Sequence, residues 1–143
     1  MKMKKILIVE DEIKLLYILK KSFEQNGYMV RTAETAEDAL EIVKHEEFKV
    51  MFLDLGLPGM NGLNLCREIR KDRPQAHIFA VTGMVSDYEF SNCFNAGFDG
   101  YFRKPMSWKL LYQTAEEVFN PEKIANPRLS CARHLGNPAS IKL

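Results

Sequence analysis

The sequence predicts an α/β protein in which a parallel β-sheet carries helices on both faces. Five short apolar runs rich in β-forming residues alternate with longer stretches whose apolar residues recur every three or four positions. Strands and helices that alternate in this way form βαβ units, which build a parallel sheet. One run, Val50–Leu53, is apolar at every position, as expected for a central strand buried on both faces.

The predicted strands are Lys5–Val9, Tyr28–Thr32, Lys49–Leu53, His77–Thr82 and Gly100–Phe102. The first helix is predicted from residues at helical spacing: Ile13, Leu16, Tyr17, Lys20 and Phe23. Gly27 suits the left-handed cap that ends this helix. Thr35 is placed to cap the second helix, and the third helix must end before Pro74.

The last two helices have different start signals. Ser86 and Glu89 have the spacing of a capping box at the start of the fourth helix. Pro105 is predicted in the first turn of the fifth helix, which runs to Phe119. Residues 1–119 are therefore predicted to form one domain. Residues 120–143, interrupted by prolines, are predicted to be an irregular tail, a truncated linker or vector-derived residues.

Composition excludes several classes of protein. The net charge of +1 indicates neither a nucleic-acid-binding surface nor one that binds anionic membranes. No apolar run approaches the roughly 20 residues that span a bilayer, and Ile6–Val9 is too short for a signal peptide. Cys66, Cys93 and Cys131 match no metal or disulfide spacing, which indicates free thiols in a cytoplasmic protein.

Side chains that can bind ions or take part in reactions follow four of the five strands. The first strand is followed by Glu10 and Asp11. Asp54 follows the third strand, Thr82 ends the fourth, and Lys104 lies just beyond the fifth. Ligands of open α/β sheets bind beyond the carboxyl ends of the strands, so these side chains should converge at one edge. The second strand contributes no such residue, as expected for an edge strand.

Three carboxylates at close range repel each other unless a cation joins them. Mg²⁺ prefers oxygen ligands and is commonly held by one or two carboxylates together with phosphate oxygens. Asp11 and Asp54 are the predicted direct ligands and Glu10 a ligand through water. The backbone carbonyl of Gly56 is a further candidate. The alternative for Glu10 and Asp11 is that they only complement the dipole of the next helix, which leaves Asp54 unexplained.

Asp54 is the predicted nucleophile. A carboxylate that attacks phosphorus forms an acyl phosphate, and a bound cation neutralises the phosphoryl oxygens. Lys104 supplies a compact positive charge for Asp54 or for the phosphoryl group, and Thr82 supplies a hydroxyl donor. A single Thr or Lys at a strand end is more often structural, so the prediction rests on the whole set. Pro58 and Gly62 are expected to shape the loop after Asp54.

Four stretches resemble the receiver domains of bacterial two-component response regulators. They are ILIVEDE at 6–12, DLGLPGMNG at 54–62, VTG at 81–83 and AGFDGYFRKP at 96–105. The resemblance spans residues 4–119 and implies a flavodoxin-like fold with strand order 2-1-3-4-5 and a cis Lys104–Pro105 bond. It also implies phosphotransfer to Asp54 from a histidine kinase or phosphotransfer protein, followed by self-catalysed dephosphorylation. Such a chain is a signalling domain rather than an enzyme.

The resemblance assigns roles to the remaining site residues. Glu10 and Asp11 resemble the metal-binding acidic pair. Thr82 and Lys104 resemble the switch hydroxyl and the lysine of the family, and Tyr101 occupies the aromatic switch position. Glu10 stands where aspartate is usual, which leaves metal binding intact. Gly56 lies two residues after Asp54, and Met84 lies two residues after Thr82. Neither residue indicates how long a phosphoryl group on Asp54 would last.

Phosphorylation is expected to shift a two-state population rather than to change the fold. Thr82 would move toward the phosphoryl oxygens, and Tyr101 would turn inward into the space that this movement opens. The surface of the fourth helix, fifth strand and fifth helix, here called the output face, would then change. Partner binding or homodimerisation would follow phosphorylation. Tyr88, Tyr101 and Trp108 are candidate surface aromatics of this face, with ordinary packing as the alternative.

Two other functions stay open. A degenerate receiver would keep the fold and act only as a binding module, which phosphorylation by a small acyl phosphate would distinguish. A haloacid-dehalogenase-like phosphohydrolase also combines an aspartate nucleophile with Thr, Lys and Mg²⁺. Such enzymes typically carry a second aspartate two residues after the nucleophile, where this chain has Gly56.

Overall fold

The structure, a computed structural model, describes residues 3–83 and 87–123, with the backbone alone described at 87–90 and 123. Its strands are β1 (Lys5–Val9), β2 (Met29–Ala33), β3 (Val50–Asp54), β4 (His77–Thr82) and β5 (Gly100–Arg103). All neighbouring strands are parallel. They are arranged in the order β2-β1-β3-β4-β5, which confirms the predicted sheet and its edge strand.

The helices are α1 (Ile13–Glu24), α2 (Ala36–His45), α3 (Gly62–Asp72), α4 (Asp87–Ala96) and α5 (Trp108–Phe119), followed by a short 3-10 helix at Pro121–Lys123. Helices α1 and α5 pack on one face of the sheet and α2, α3 and α4 on the other. The rest of the predicted tail, 124–143, lies outside the described residues. Among the described helices, none has the length and apolar character needed to cross a membrane.

Local hydrogen bonds determine where two of the helices begin. The Thr35 hydroxyl accepts a hydrogen bond from the backbone N–H of Asp38, which confirms the predicted cap of α2. The predicted start of α5 at Pro105 is wrong. The Ser107 hydroxyl accepts from the N–H of Lys109, so this serine caps the helix and Trp108 is its first residue. The predicted capping serine of α4 lies outside the described residues.

The core lies in two layers, one on each face of the sheet. On the α1 and α5 side, aromatic rings stack across the strands, with the Phe52 centroid 5.9 Å from Phe23 and 5.7 Å from Phe79. On the other side, β3 contributes Leu53 to an aliphatic layer. All five residues of β3 are buried, which confirms the predicted central strand.

Helix α1 forms where helical spacing predicted it, but only part of that spacing is buried. The buried residues are Leu16, Leu19 and Phe23. Ile13 and Tyr17, which belong to the same spacing, are each 62% exposed. Helical spacing locates an apolar stripe only to within one residue per turn, and the sheet decides which stripe it covers.

Candidate functional site

Parallel register brings the predicted acidic residues together. Val9 in β1 lies opposite Leu53 in the neighbouring β3, so the next residues, Glu10 and Asp54, emerge side by side. One carboxylate oxygen from each of Glu10, Asp11 and Asp54 lies within 4.8 Å of the other two. Glu10 is 3% exposed and Asp54 is 7% exposed, whereas Asp11 lies at the exposed mouth of the cluster. These three residues are called the acidic pocket below.

The same register adds Thr82 and Lys104 to this edge. Asp54 pairs with Val81 of β4, and Thr82 is the next residue. Thr82 in turn pairs with Arg103 of β5, and the N–H of Lys104 donates to the Thr82 carbonyl at 2.8 Å. The predicted residues therefore converge at one edge of the sheet. The Lys104–Pro105 peptide bond is cis, as the resemblance implied.

Lys104 pairs chiefly with Glu10. Its Nζ lies 2.6 Å from Glu10 Oε1 and 3.6 Å from Asp54 Oδ2. The other Glu10 oxygen accepts a hydrogen bond from the backbone N–H of Glu12 at 3.1 Å. Glu10 therefore holds the lysine ammonium beside Asp54, a role that the sequence did not reveal.

Burial raises the pKa of Glu10 to about 7, because an ionised carboxylate loses its water at this depth. The hydrogen bonds from Lys104 and Glu12 oppose this effect only in part, and the charge of Asp54 adds to it. Burial acts to lower the pKa of Lys104, but its hydrogen bond to Glu10 and the neighbouring negative charges outweigh burial and raise that pKa. The pocket therefore favours the gain of positive charge.

The loop after β3 holds Asp54 in position. The N–H of Gly56 donates to Asp54 Oδ1 at 3.1 Å. Gly62 packs directly on the strand end, and a Cβ built there would lie 2.2 Å from the Asp54 carbonyl oxygen. The N–H of Gly62 also donates to the Leu55 carbonyl at 3.1 Å. Gly62 shapes this loop as predicted, because no side chain fits between it and the β3 backbone.

Tyr101 is buried. It is 5% exposed and packs within the core layer beneath α2, α3 and α4, which favours ordinary packing, the alternative to a surface position. The Trp108 ring packs 5.5 Å from Tyr112 and 6.2 Å from Phe23, which supports the packing alternative. The side chain of Tyr88 lies outside the described residues.

Hard divalent cations bind sets of carboxylate oxygens such as the one in the acidic pocket. Glu10, Asp11 and Asp54 offer one ligand atom each. Lys104 is the cation paired with this cluster among the described residues, and it balances one of the three negative charges. The residues present therefore fit a bound Mg²⁺, which would supply positive charge to phosphoryl oxygens.

Comparison with known proteins identifies the family. A family model described as response regulator receiver domain matches residues 6–116. The chain belongs to this family. The chain is 29% identical over 124 residues to the alkaline phosphatase synthesis transcriptional regulatory protein PhoP of Bacillus subtilis, covering 87% of this chain and 52% of PhoP. The chain thus spans about half the length of that curated relative.

Solved structures agree with this assignment. A CheY-like receiver domain protein from Methanospirillum hungatei is 35% identical, with a TM-score of 0.79 over 85% of this chain and 98% of that one. A response regulator from Burkholderia pseudomallei is 29% identical, with a TM-score of 0.73 over 87% of this chain and 75% of that one. The latter structure is described as having a phosphorylated aspartic acid, a calcium ion and citrate.

A second polar cluster in the receiver domain was not predicted. Arg70 in α3 pairs with Asp99 in the loop before β5, with Nη2 and Oδ2 2.8 Å apart. Asp99 belongs to the stretch that resembles the family, but no local pattern identifies Arg70 as its partner. The two residues lie 29 positions apart and meet only in the folded chain.

Proposed function

We propose that Asp54 accepts a phosphoryl group from the phosphohistidine of a sensor kinase or phosphotransfer protein. The observation that carries this proposal is the position of Asp54, nearly buried at the end of β3 and 3.6 Å from the Lys104 ammonium. The phosphorylated aspartic acid of the Burkholderia pseudomallei relative supports it.

In the transfer step, a carboxylate oxygen of Asp54 attacks phosphorus, and an acyl phosphate bond forms as the P–N bond of the donor breaks. The imidazole of the donor leaves with the bonding electron pair. Lys104 and Thr82 stand beside the new phosphoryl oxygens, where an ammonium and a hydroxyl donate hydrogen bonds. In the dephosphorylation step, water attacks the same phosphorus and the bond between phosphorus and the carboxylate oxygen breaks. This restores the Asp54 carboxylate and releases inorganic phosphate.

We propose that Mg²⁺ is required for this transfer. Asp11 and Asp54 would be direct ligands, with Glu10 acting through water and the Gly56 carbonyl as a further ligand. The clustering of the three carboxylates around a single lysine supports this assignment. The calcium ion of the Burkholderia pseudomallei relative is a second hard cation of the same ligand preference.

The donor protein is proposed to contact α1. This helix begins two residues after Asp11, so it borders the mouth of the acidic pocket. Its outer surface carries Ile13, Tyr17 and Ile18, each more than half exposed. Exposed apolar side chains of this size commonly mark protein contacts. Tyr17→Ala should slow transfer from a phosphorylated kinase domain without slowing phosphorylation by acetyl phosphate.

The output face is proposed to transmit the signal to a protein partner or to a second copy of the chain, in the cytoplasm. Thr82 and Tyr101 lie on the adjacent strands β4 and β5, and both are buried. A shift of Thr82 can therefore reach Tyr101 through packing alone. The chain is not proposed to bind nucleic acid, because its net charge of +1 gives no general excess of positive charge for phosphates.

Intact-mass measurement after treatment with acetyl phosphate and Mg²⁺ tests the acceptor. The chain should gain one phosphoryl group, and Asp54→Asn should gain none. Asp72→Asn is the matched control, since Asp72 is an exposed acid at the end of α3 and should leave the gain unchanged. A phosphoryl group on the Asp54→Asn variant would refute the assignment. No gain by the unaltered chain would favour the degenerate receiver.

Beryllofluoride, a mimic of the phosphoryl group, tests the output face. Amide chemical shifts should change at Gly56 beside the pocket and also at Tyr101 and Phe102 in β5. Changes restricted to the loops around Asp54 would refute transmission through the output face, while leaving the acceptor assignment intact.

A further inference from the structure

Arg70 forms a second polar cluster at the opposite edge of the sheet from the acidic pocket. Its Nε donates to the Gly97 carbonyl at 2.9 Å, and its Nη2 donates to Asp99 Oδ2 at 2.8 Å. Its Nη1 donates to the carbonyls of Pro74 and Ala76 in the loop before β4. Arg70, Gly97 and Asp99 are called the Arg70 clasp below. The planar guanidinium suits such a site because its donors point in fixed directions.

Asp99 joins the clasp to the sheet. Its Oδ2 accepts a hydrogen bond from the backbone N–H of Ile78 at 2.8 Å, in addition to the bond from Arg70. The N–H of Asp99 donates to the Ile78 carbonyl at 2.7 Å. One carboxylate therefore ties the end of α3 to the start of β4 and to the turn that enters β5.

Gly97 joins the clasp to the end of α4. The N–H of Gly97 donates to the Phe94 carbonyl, and the N–H of Phe98 donates to the Cys93 carbonyl, each at 3.2 Å. Gly97 has a φ of 106°, and a Cβ there would lie 3.0 Å from Arg70 Cγ. The Arg70 side chain thus lies against Gly97, the residue that follows α4, and binds its carbonyl.

The two ends of α4 are in different positions relative to the pocket. Asp87, its first residue, follows Thr82 by five residues, so the amino-terminal end of α4 is close in sequence to the edge that carries the acidic pocket. Its last residue, Ala96, precedes the clasp. A helix of ten residues is about 15 Å long, so its two ends are well separated.

We propose that the Arg70 clasp is the fixed pivot of the switch. A rearrangement at Thr82 displaces the amino-terminal end of α4, while the clasp holds residues 96–99 against α3 and β4. The displacement therefore decreases along α4 toward Gly97, and the entry to β5 keeps its position. Arg70 is in this respect a positioning residue, because it acts on the output face through α4. This inference rests on the proposed function, which supplies the rearrangement at Thr82.

Amide hydrogen exchange on the full chain, with Mg²⁺ and with or without beryllofluoride, tests the pivot. In the unaltered chain, exchange at 91–95 should change about tenfold on addition of beryllofluoride, and exchange at 97–99 should change less than about twofold. In Arg70→Lys, exchange at 97–99 should be about tenfold faster before beryllofluoride is added, since lysine cannot replace the forked donors.

Arg67→Lys is the matched control, because Arg67 lies in the same helix, is exposed and bonds to Asn64 within α3. It should leave every rate unchanged. Asp99→Asn is a second variant, since it keeps an oxygen acceptor for Ile78 and removes the charge. It should also raise the exchange rates at 97–99. Circular dichroism verifies that each variant is folded.

The outcomes separate the pivot from the proposed function. An equal response at 97–99 and 91–95, with a response at Gly56, would overturn the pivot and leave phosphoryl acceptance intact. Unchanged rates at 97–99 in Arg70→Lys would also overturn the pivot. The absence of any response at Gly56 would overturn the proposed function and the pivot with it.

Discussion

The carboxyl edge of the sheet, where the parallel strands end, and the amino edge, where they begin, differ in how their charged side chains are paired. At the carboxyl edge, Glu10, Asp11 and Asp54 form a cluster, and Lys104 is the one cation among the described residues that pairs with it, through Glu10 and Asp54. At the amino edge, three carboxylates have partners of their own. Glu46 Oε1 lies 2.9 Å from Lys5 Nζ, and Glu46 Oε2 lies 3.0 Å from Arg31 Nε. Glu116 and Asp99 are held in the same way, by Lys4 with Tyr28 and by Arg70.

Glutamates at the two edges show what this difference does. Burial raises the pKa of Glu10, and its single lysine does not offset this. Burial also opposes ionisation of Glu116, but hydrogen bonds from Tyr28 and Lys4 outweigh it and lower its pKa. Charge balance at the amino edge contributes to stability, whereas the unbalanced carboxyl edge suits the cation and the phosphoryl group proposed for it.

Glycine substitutions should have the largest effects on the free energy of unfolding, and these effects should differ between the two edges. Gly62→Ala should lower the free energy of unfolding by about 3 kcal/mol, because its Cβ meets backbone that cannot move aside. Gly97→Ala should lower the free energy of unfolding by about 1.5 kcal/mol. Its Cβ would lie against the flexible Arg70 side chain, and the positive φ at this position strains any residue other than glycine. Gly56→Ala, with Asp54 Oδ1 at 3.9 Å from its Cβ, is the control. Urea denaturation measures all three, and a cost for Gly56→Ala equal to that of Gly62→Ala would contradict the packing argument.

Removing a paired charge at the amino edge should have a smaller effect. Glu116→Gln should lower the free energy of unfolding by about 1.5 kcal/mol at pH 7, since hydrogen bonds to charged groups are worth about that much. Tyr28→Phe should act through the same contact, so the double variant should cost less than the sum of the two. Full additivity in a double-mutant cycle would show that this pair does not interact.

The pH dependence of the same contact has a definite sign. The folded-state pKa of Glu116 lies below its ordinary value of 4.5. Its contribution to stability is therefore present above pH 4.5 and is lost as the pH falls through the folded-state pKa. Denaturation curves from pH 7 to pH 3 should show a steeper loss of stability for the unaltered chain than for Glu116→Gln. Parallel curves would contradict this assignment.

Neutralising a crowded acid at the carboxyl edge should have the smallest effect, with the opposite sign. In metal-free buffer, Asp11→Asn should raise the free energy of unfolding by about 0.5 kcal/mol, since it relieves repulsion at a solvent-exposed position. Millimolar Mg²⁺ should stabilise the unaltered chain but not Asp11→Asn, because only the former retains the proposed ligand. An equal response of the two proteins to Mg²⁺ would refute Asp11 as a ligand.

The cysteines have a property, the reactivity of their thiols, that the sequence alone did not predict. The sequence predicted free thiols, and Cys66 and Cys93 are free thiols, both buried in the layer beneath α2, α3 and α4. Burial raises the pKa of Cys66 to about 12, so its thiol is unreactive near neutral pH. Spacing excluded a metal site, but only the packed core determined the reactivity. Cys131 lies outside the described residues.

Local patterns in the sequence predicted the order of the elements and the residues that gather at the carboxyl edge. Apolar runs, helical spacing and caps such as Thr35 act over a few neighbouring residues, so they can be recognised along the chain. Parallel strands then align their carboxyl ends, which is why Asp54 and Lys104 could be placed together before their distance was known.

The partners that these residues take depend on the folded chain. Lys104 lies nearer to Glu10 than to Asp54, and Arg70 joins Asp99, which lies 29 positions further along the chain. The sheet also buries Tyr101, for which the sequence had left both a surface position and ordinary packing open. Such outcomes depend on differences of about 1 Å between competing contacts of residues far apart in the chain, and no local pattern encodes differences of that size.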